Sequence, residues 1–134
     1  MAGLLLSVVC MLPSVATASP TPLRLAQTPY VGVSCPTANV TSCGRVGVAI
    51  WLTRHGASDV IVYLSGVHAR LGPPPRRSPV PSWRTFVHLP LAAMGIPAHW
   101  YGRPSKTLTL RVLARYGGIW FSRTVVVALR TGWA

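Results

Sequence analysis

The run Lys106-Thr107-Leu108-Thr109-Leu110-Arg111-Val112-Leu113-Ala114-Arg115 decides the fold class. Leu108, Leu110, Val112 and Ala114 alternate with Thr107, Thr109, Arg111 and Arg115. A period of two places one set on each side of a pleated strand, so this is a half-buried β-strand and not a helix. Gly117-Gly118 supplies a turn, and residues 119–131, rich in Val and aromatic residues, read as a long final strand.

The same period recurs upstream. Val46, Val48, Ile50 and Leu52 alternate with Gly47, Ala49 and Trp51. Residues 60–64 and 67–71 flank Ser65-Gly66, the pattern of a hairpin. Residues 30–33 and 83–89 are further strand candidates, and Gly56, Ser58 and Asp59 give residues 54–59 a turn composition. Residues 72–82 hold Pro73, Pro74, Pro75, Pro79 and Pro81 and read as a loop or edge crossing. Residues 90–105 are irregular, with room for a single helical turn over 91–94. No stretch sustains a helical period. Six or seven short strands with turns every 8–12 residues predict an all-β chain, an antiparallel immunoglobulin-like β-sandwich, with Trp51 as a candidate core tryptophan.

Two stretches carry a resemblance. Tyr30-Val31-Gly32-Val33-Ser34-Cys35-Pro36 with Cys43-Gly44-Arg45-Val46-Gly47-Val48-Ala49-Ile50-Trp51-Leu52 is one, and Arg123-Thr124-Val125-Val126-Val127-Ala128-Leu129 with Gly132-Trp133 is the other. They resemble small secreted actinobacterial proteins with a predicted immunoglobulin-like fold and no assigned activity. The resemblance covers the first and last thirds of the chain better than its proline-rich middle. It implies fold and export, and it supplies no site residues.

The chain has 134 residues, room for one domain. Residues 1–18 read as a secretory signal peptide: an apolar run through Leu12, then Pro13 and the small-x-small site Ala16-Thr17-Ala18. The run is too short to span a bilayer, and it departs from the usual pattern in having no Lys or Arg before it. Residues 19–29, with Pro20, Pro22 and Pro29, read as an extended linker, and residues 30–134 as the β-sandwich domain. Cys35 and Cys43 remain after cleavage, and an even pair in an exported chain reads as one disulfide. They are too close in sequence to bridge two sheets. Arginine-rich, lysine-poor composition suggests a GC-rich bacterial genome, in which the sequon Asn39-Val40-Thr41 is accidental.

Charge is the strongest functional signal. Thirteen Lys+Arg face one acidic residue, for a formal net charge of +12. Asp59 is that acid and Lys106 the single lysine, so nearly every guanidinium must face water or an external anion. Arginine binds carboxylate and phosphate through a planar fork of donors. Arg76, Arg77, Arg103 and Lys106 are the candidate anion-binding residues, and Trp100 and Tyr101 the candidate aromatic contacts beside them. An anionic cell-wall polymer or lipid surface is the expected partner, and a protein partner is the alternative. The competing reading is that genome composition wrote arginine wherever a polar strand face allowed it. Only Arg76-Arg77 are adjacent, and specific nucleic-acid recognition is not expected. No glycine-rich phosphate loop follows a strand, which argues against nucleotide binding of the usual kinds.

One carboxylate excludes glycosidase chemistry, which needs two. His55, Ser58 and Asp59 lie in a turn and do not read as a triad. His55, His68, His88 and His99 match no metal-ligand spacing. The chain is therefore expected to be a secreted, non-enzymatic basic protein with no metal and no cofactor.

Overall fold

A computed structural model describes residues 21–35, 43–72, 79–96 and 106–132. The signal peptide over 1–18, the sequon, and most of the proline-rich loop lie outside the described residues.

Every named element is a strand: β1 (Thr21–Pro22), β2 (Tyr30–Val33), β3 (Arg45–Trp51), β4 (Asp59–Leu64), β5 (Val67–Arg70), β6 (Ser82–His88), β7 (Thr107–Tyr116) and β8 (Ile119–Arg130). Seven of them follow one hydrogen-bonded path, β5-β4-β7-β8-β2-β3-β6, and β1 pairs with β8 off that path. The two ends of the path come together. β5 and β6 touch, and the indole Nε1 of Trp83 at the start of β6 donates to Gly72 O, just past β5, at 3.0 Å. The result is nearly barrel-like. The all-β expectation stands, with one strand more than the upper figure expected.

The deciding run behaves as its period requires. Leu108, Leu110, Val112, Ala114 and Tyr116 of β7 are buried, and Thr107, Thr109, Arg111 and Arg115 are exposed. β7 pairs with β8 without a bulge, from Thr107↔Ala128 to Tyr116↔Ile119. Gly117 and Gly118 both have positive φ, at 55° and 81°, the conformation a two-residue hairpin turn needs at both positions. The β4–β5 hairpin turns in the same way at Ser65-Gly66. The inward residues of β3, β4 and β7 join Val31, Trp83, Val87, Leu91 and Leu129 in one buried cluster. Each such side chain contributes about 1.5–3 kcal/mol on burial.

Three features differ from the sequence reading. The sheet is mixed, because β8 pairs in parallel with β1 and with β2, while β2 pairs antiparallel with β3. Parallel partners need long connections, and these are separated by most of the chain. Residues 21–29, read as part of an extended linker, pack against the sheet: Leu23 is buried and donates N–H to Ser122 O at 2.9 Å, and Ala26 donates to Trp51 O at 2.9 Å. Trp51 is only half-buried, on the side of β3 opposite Val46, Val48 and Ile50, and Trp83 is the core tryptophan instead. Residues 91–95, where one helical turn over 91–94 was expected, form a hydrogen-bonded turn with Met94 N–H to Pro90 O at 3.1 Å.

Cys35 and Cys43 are joined, with Cα atoms 5.8 Å apart, and the bridge links the end of β2 to the start of β3. Next to it, Gly44 has φ +61°, and a Cβ there would lie 2.8 Å from Leu89 O. Gly44 O also accepts from Leu89 N–H at 2.9 Å, so the two backbones are pinned together. Gly44→Ala should therefore cost about 1–2 kcal/mol for the left-handed backbone and more for the displaced carbonyl. Gly56 has φ +92° with nothing within 4 Å of a Cβ, so Gly56→Ala isolates the backbone share. Urea unfolding of both variants checks this: the Gly44 change should lower the midpoint more.

Candidate functional site

No polar or charged residue is buried among the described residues, and every described arginine is exposed. Strand register sorts them. On β7, Arg111 and Arg115 occupy the outward set. Arg111 lies opposite Tyr63 of β4 and Thr124 of β8, and Tyr63 lies opposite His68 of β5. Arg115 lies opposite Asp59 and Trp120. Arg70 sits on β5 opposite Ile61, and Arg130 ends β8 on the same outward parity. One side of the molecule, formed by β5, β4, β7 and β8, thus presents Arg70, Arg111, Arg115 and Arg130 among Tyr63, His68 and Trp120.

Local contacts hold this face. Arg111 Nε donates to Ser122 Oγ at 3.4 Å, and the Arg115 guanidinium stands 5.9 Å from the Trp120 ring centroid. Tyr63 and His68 pair at 5.7 Å. Arg70 Nη2 binds Asp59 Oδ2 at 2.9 Å, which leaves the chain's single carboxylate engaged. Arg111 and Arg115 are four residues apart on one strand, about 13 Å at roughly 3.3 Å per residue.

The opposite side, formed by β2, β3 and β6, carries Arg45 and Arg84, with the Arg45 guanidinium 3.9 Å over the Phe86 ring. A third group lies beside β1 and β8. Arg123 lines a groove of about 330 Å³ with Leu25, Thr28 and Pro29, where β8 between Arg123 and Ala128 has no strand partner among the described residues on that edge. Arg24 and Arg54 line a smaller cleft of about 170 Å³.

Of the residues picked from sequence, Arg76, Arg77, Trp100, Tyr101 and Arg103 lie outside the described residues. Lys106 is described, half-buried just before β7, where its O accepts from Leu129 N–H at 2.9 Å. Arg111, Arg115 and Tyr63 were missed as site residues, although the period-two pattern already put Arg111 and Arg115 on the polar side of a strand.

The turn residues do not assemble into a triad. His55 Nε2 lies 3.1 Å from Pro79 O, Ser58 Oγ donates to Arg115 O at 3.2 Å, and Asp59 is taken by Arg70. Among the described residues no group of three His, Cys, Asp or Glu is placed to hold a metal.

No protein-family model, curated protein or solved structure matches the chain.

Proposed function

We propose that the protein is an exported, non-enzymatic β-sandwich that binds an anionic cell-surface polymer through the outer face of β5, β4, β7 and β8. The observation that carries this reading is the register that gathers Arg70, Arg111, Arg115 and Arg130 on one face of a chain with a single acid. Guanidinium forks bind phosphate and carboxylate, and the Tyr63 and Trp120 rings add surface on which a sugar can stack.

Strand order supports an immunoglobulin-like reading. β2-β3-β6 and β5-β4-β7-β8 are its two sheets; the β3–β4 and β6–β7 connections cross between them, and the β4–β5 and β7–β8 hairpins stay within one. β2, paired with both β3 and β8, is the seam. The Cys35–Cys43 bridge supports an oxidising, extracellular location. Engagement of His55, Ser58 and Asp59 with separate partners supports the absence of catalysis.

A second reading is a protein-interaction module, and the stretch of β8 between residues 123 and 128, which has no strand partner on one edge among the described residues, favours it. An extended peptide adding along residues 124–126 would pair with backbone groups that no described strand meets.

A salt titration tests the first reading. The oxidised protein is offered teichoic acid, anionic liposomes and duplex DNA. Binding to teichoic acid that persists at physiological salt, while the other two are lost, is expected. Equal binding to all three that vanishes together as salt rises would mean unspecific polycation behaviour and would overturn the proposal.

A further inference from the structure

The Arg24–Arg54 cleft lies outside the polymer-binding face and has a different chemistry. Its construction begins with a short ladder between two loops. Ala26 N–H bonds Trp51 O at 2.9 Å, Leu25 bridges Leu52, and Thr53 N–H reaches Arg24 O at 3.4 Å. This ladder brings Arg24 and Arg54, thirty positions apart in the chain, to the rim of one cleft.

Arg54 is held twice. Tyr116, at the end of β7, donates its hydroxyl to Arg54 O at 2.8 Å. The Arg54 guanidinium lies 4.4 Å over the Tyr116 ring centroid and 5.4 Å from that of Phe121. The two rings meet edge to face at 5.4 Å and 82°. A guanidinium held over an aromatic face keeps N–H donors for an acceptor. Neither Arg24 nor Arg54 has a hydrogen bond or ion pair from its guanidinium among the described residues, and the single carboxylate is engaged by Arg70. Burial raises the Tyr116 pKa above its ordinary value, opposed by the neighbouring Arg54, so the phenol stays neutral and keeps donating.

The cleft is therefore cationic at its rim and apolar within, where Leu23 and Phe121 form the wall. At about 170 Å³ it is below the roughly 300–1,000 Å³ of drug-sized sites, which sets a single ring as its capacity. We infer that this cleft is a binding site for a small organic anion, a carboxylate attached to one planar ring. Two guanidinium forks take the carboxylate, and Phe121 and Leu23 take the ring.

Benzoate is the probe, with benzamide as its neutral isostere and acetate as the anion without a ring, all at equal ionic strength. Binding by the oxidised full chain is followed by NMR of the Phe121 and Tyr116 ring resonances. Saturable shifts with benzoate, and about 10-fold weaker binding of both controls, are expected. Arg24→Gln and Arg54→Gln should each weaken benzoate about 10-fold. Arg24 stacks on no ring among the described residues, so its variant keeps the test sound should Arg54→Gln disturb the fold. Arg111→Gln/Arg115→Gln should leave benzoate binding unchanged, which separates this site from the polymer face. Equal shifts with benzoate and benzamide, or an unchanged titration in Arg24→Gln, would refute the site.

Discussion

Trp83→Ala is expected to lower the unfolding free energy by about 3–5 kcal/mol, the usual cost of removing a large aromatic side chain from a core. Trp83 is 4% exposed and belongs to the central buried cluster. It also ties the two ends of the sheet path together through its bond to Gly72 O. Removal therefore opens a cavity and leaves a carbonyl short of its donor. Trp83→Phe separates the two effects. It retains most of the apolar area and loses the indole N–H, so about 1–2 kcal/mol is expected. Domains of this size hold only about 5–15 kcal/mol in total, so the alanine variant should be partly unfolded at modest urea. Unfolding free energies within about 0.5 kcal/mol of the parent would mean that β5 and β6 do not close over this ring.

Loss of the disulfide ranks next. Cys35→Ser/Cys43→Ser should cost about 2.5 kcal/mol, from the closure entropy of a short loop in the unfolded chain. The bridge sits where β2 hands over to β3, and Ser34 N–H to Arg45 O at 2.8 Å continues the pairing up to it. β2 is hydrogen-bonded to both β3 and β8, so its loosening weakens the seam between the two halves of the sheet. Denaturant unfolding with and without a reductant reads the difference. An unchanged midpoint on reduction would mean that backbone pairing alone holds the β2–β3 turn.

Local period made most of the strands legible. β3 and β7 alternate with a period of two, β4 and β5 are β-rich runs on either side of Ser65-Gly66, and Gly117-Gly118 marks the last turn. β1 was not legible, because proline removes donors and two residues carry no period. Its place comes from the burial of Leu23 against a β8 edge that only the folded chain presents. The parallel pairing of β2 with β8 is likewise a long-range consequence with no local signature. Trp51 is different: its parity already set it opposite Val46, Val48 and Ile50, the residues of β3 that the core cluster takes. The site shows the same division. Arg111 and Arg115 were readable as a polar strand face, but the loops drew the choice of candidates. Arg24 and Arg54 meet only through the Leu25–Leu52 bridge, which no spacing in the sequence announces.

The most direct measurement compares two variants of equal charge. Arg111→Gln/Arg115→Gln alters the β7 face, and Arg45→Gln/Arg84→Gln alters the opposite side; each removes two positive charges. Binding of both to teichoic acid is followed across a salt series. Each lost phosphate contact lowers the salt slope by about one unit. The β7 pair should lose about two units of slope and at least 10-fold in affinity at physiological salt, with the Arg45/Arg84 pair close to the parent. Equal losses from both pairs would mean that only net charge matters, and that the face formed by β5, β4, β7 and β8 is not a binding site.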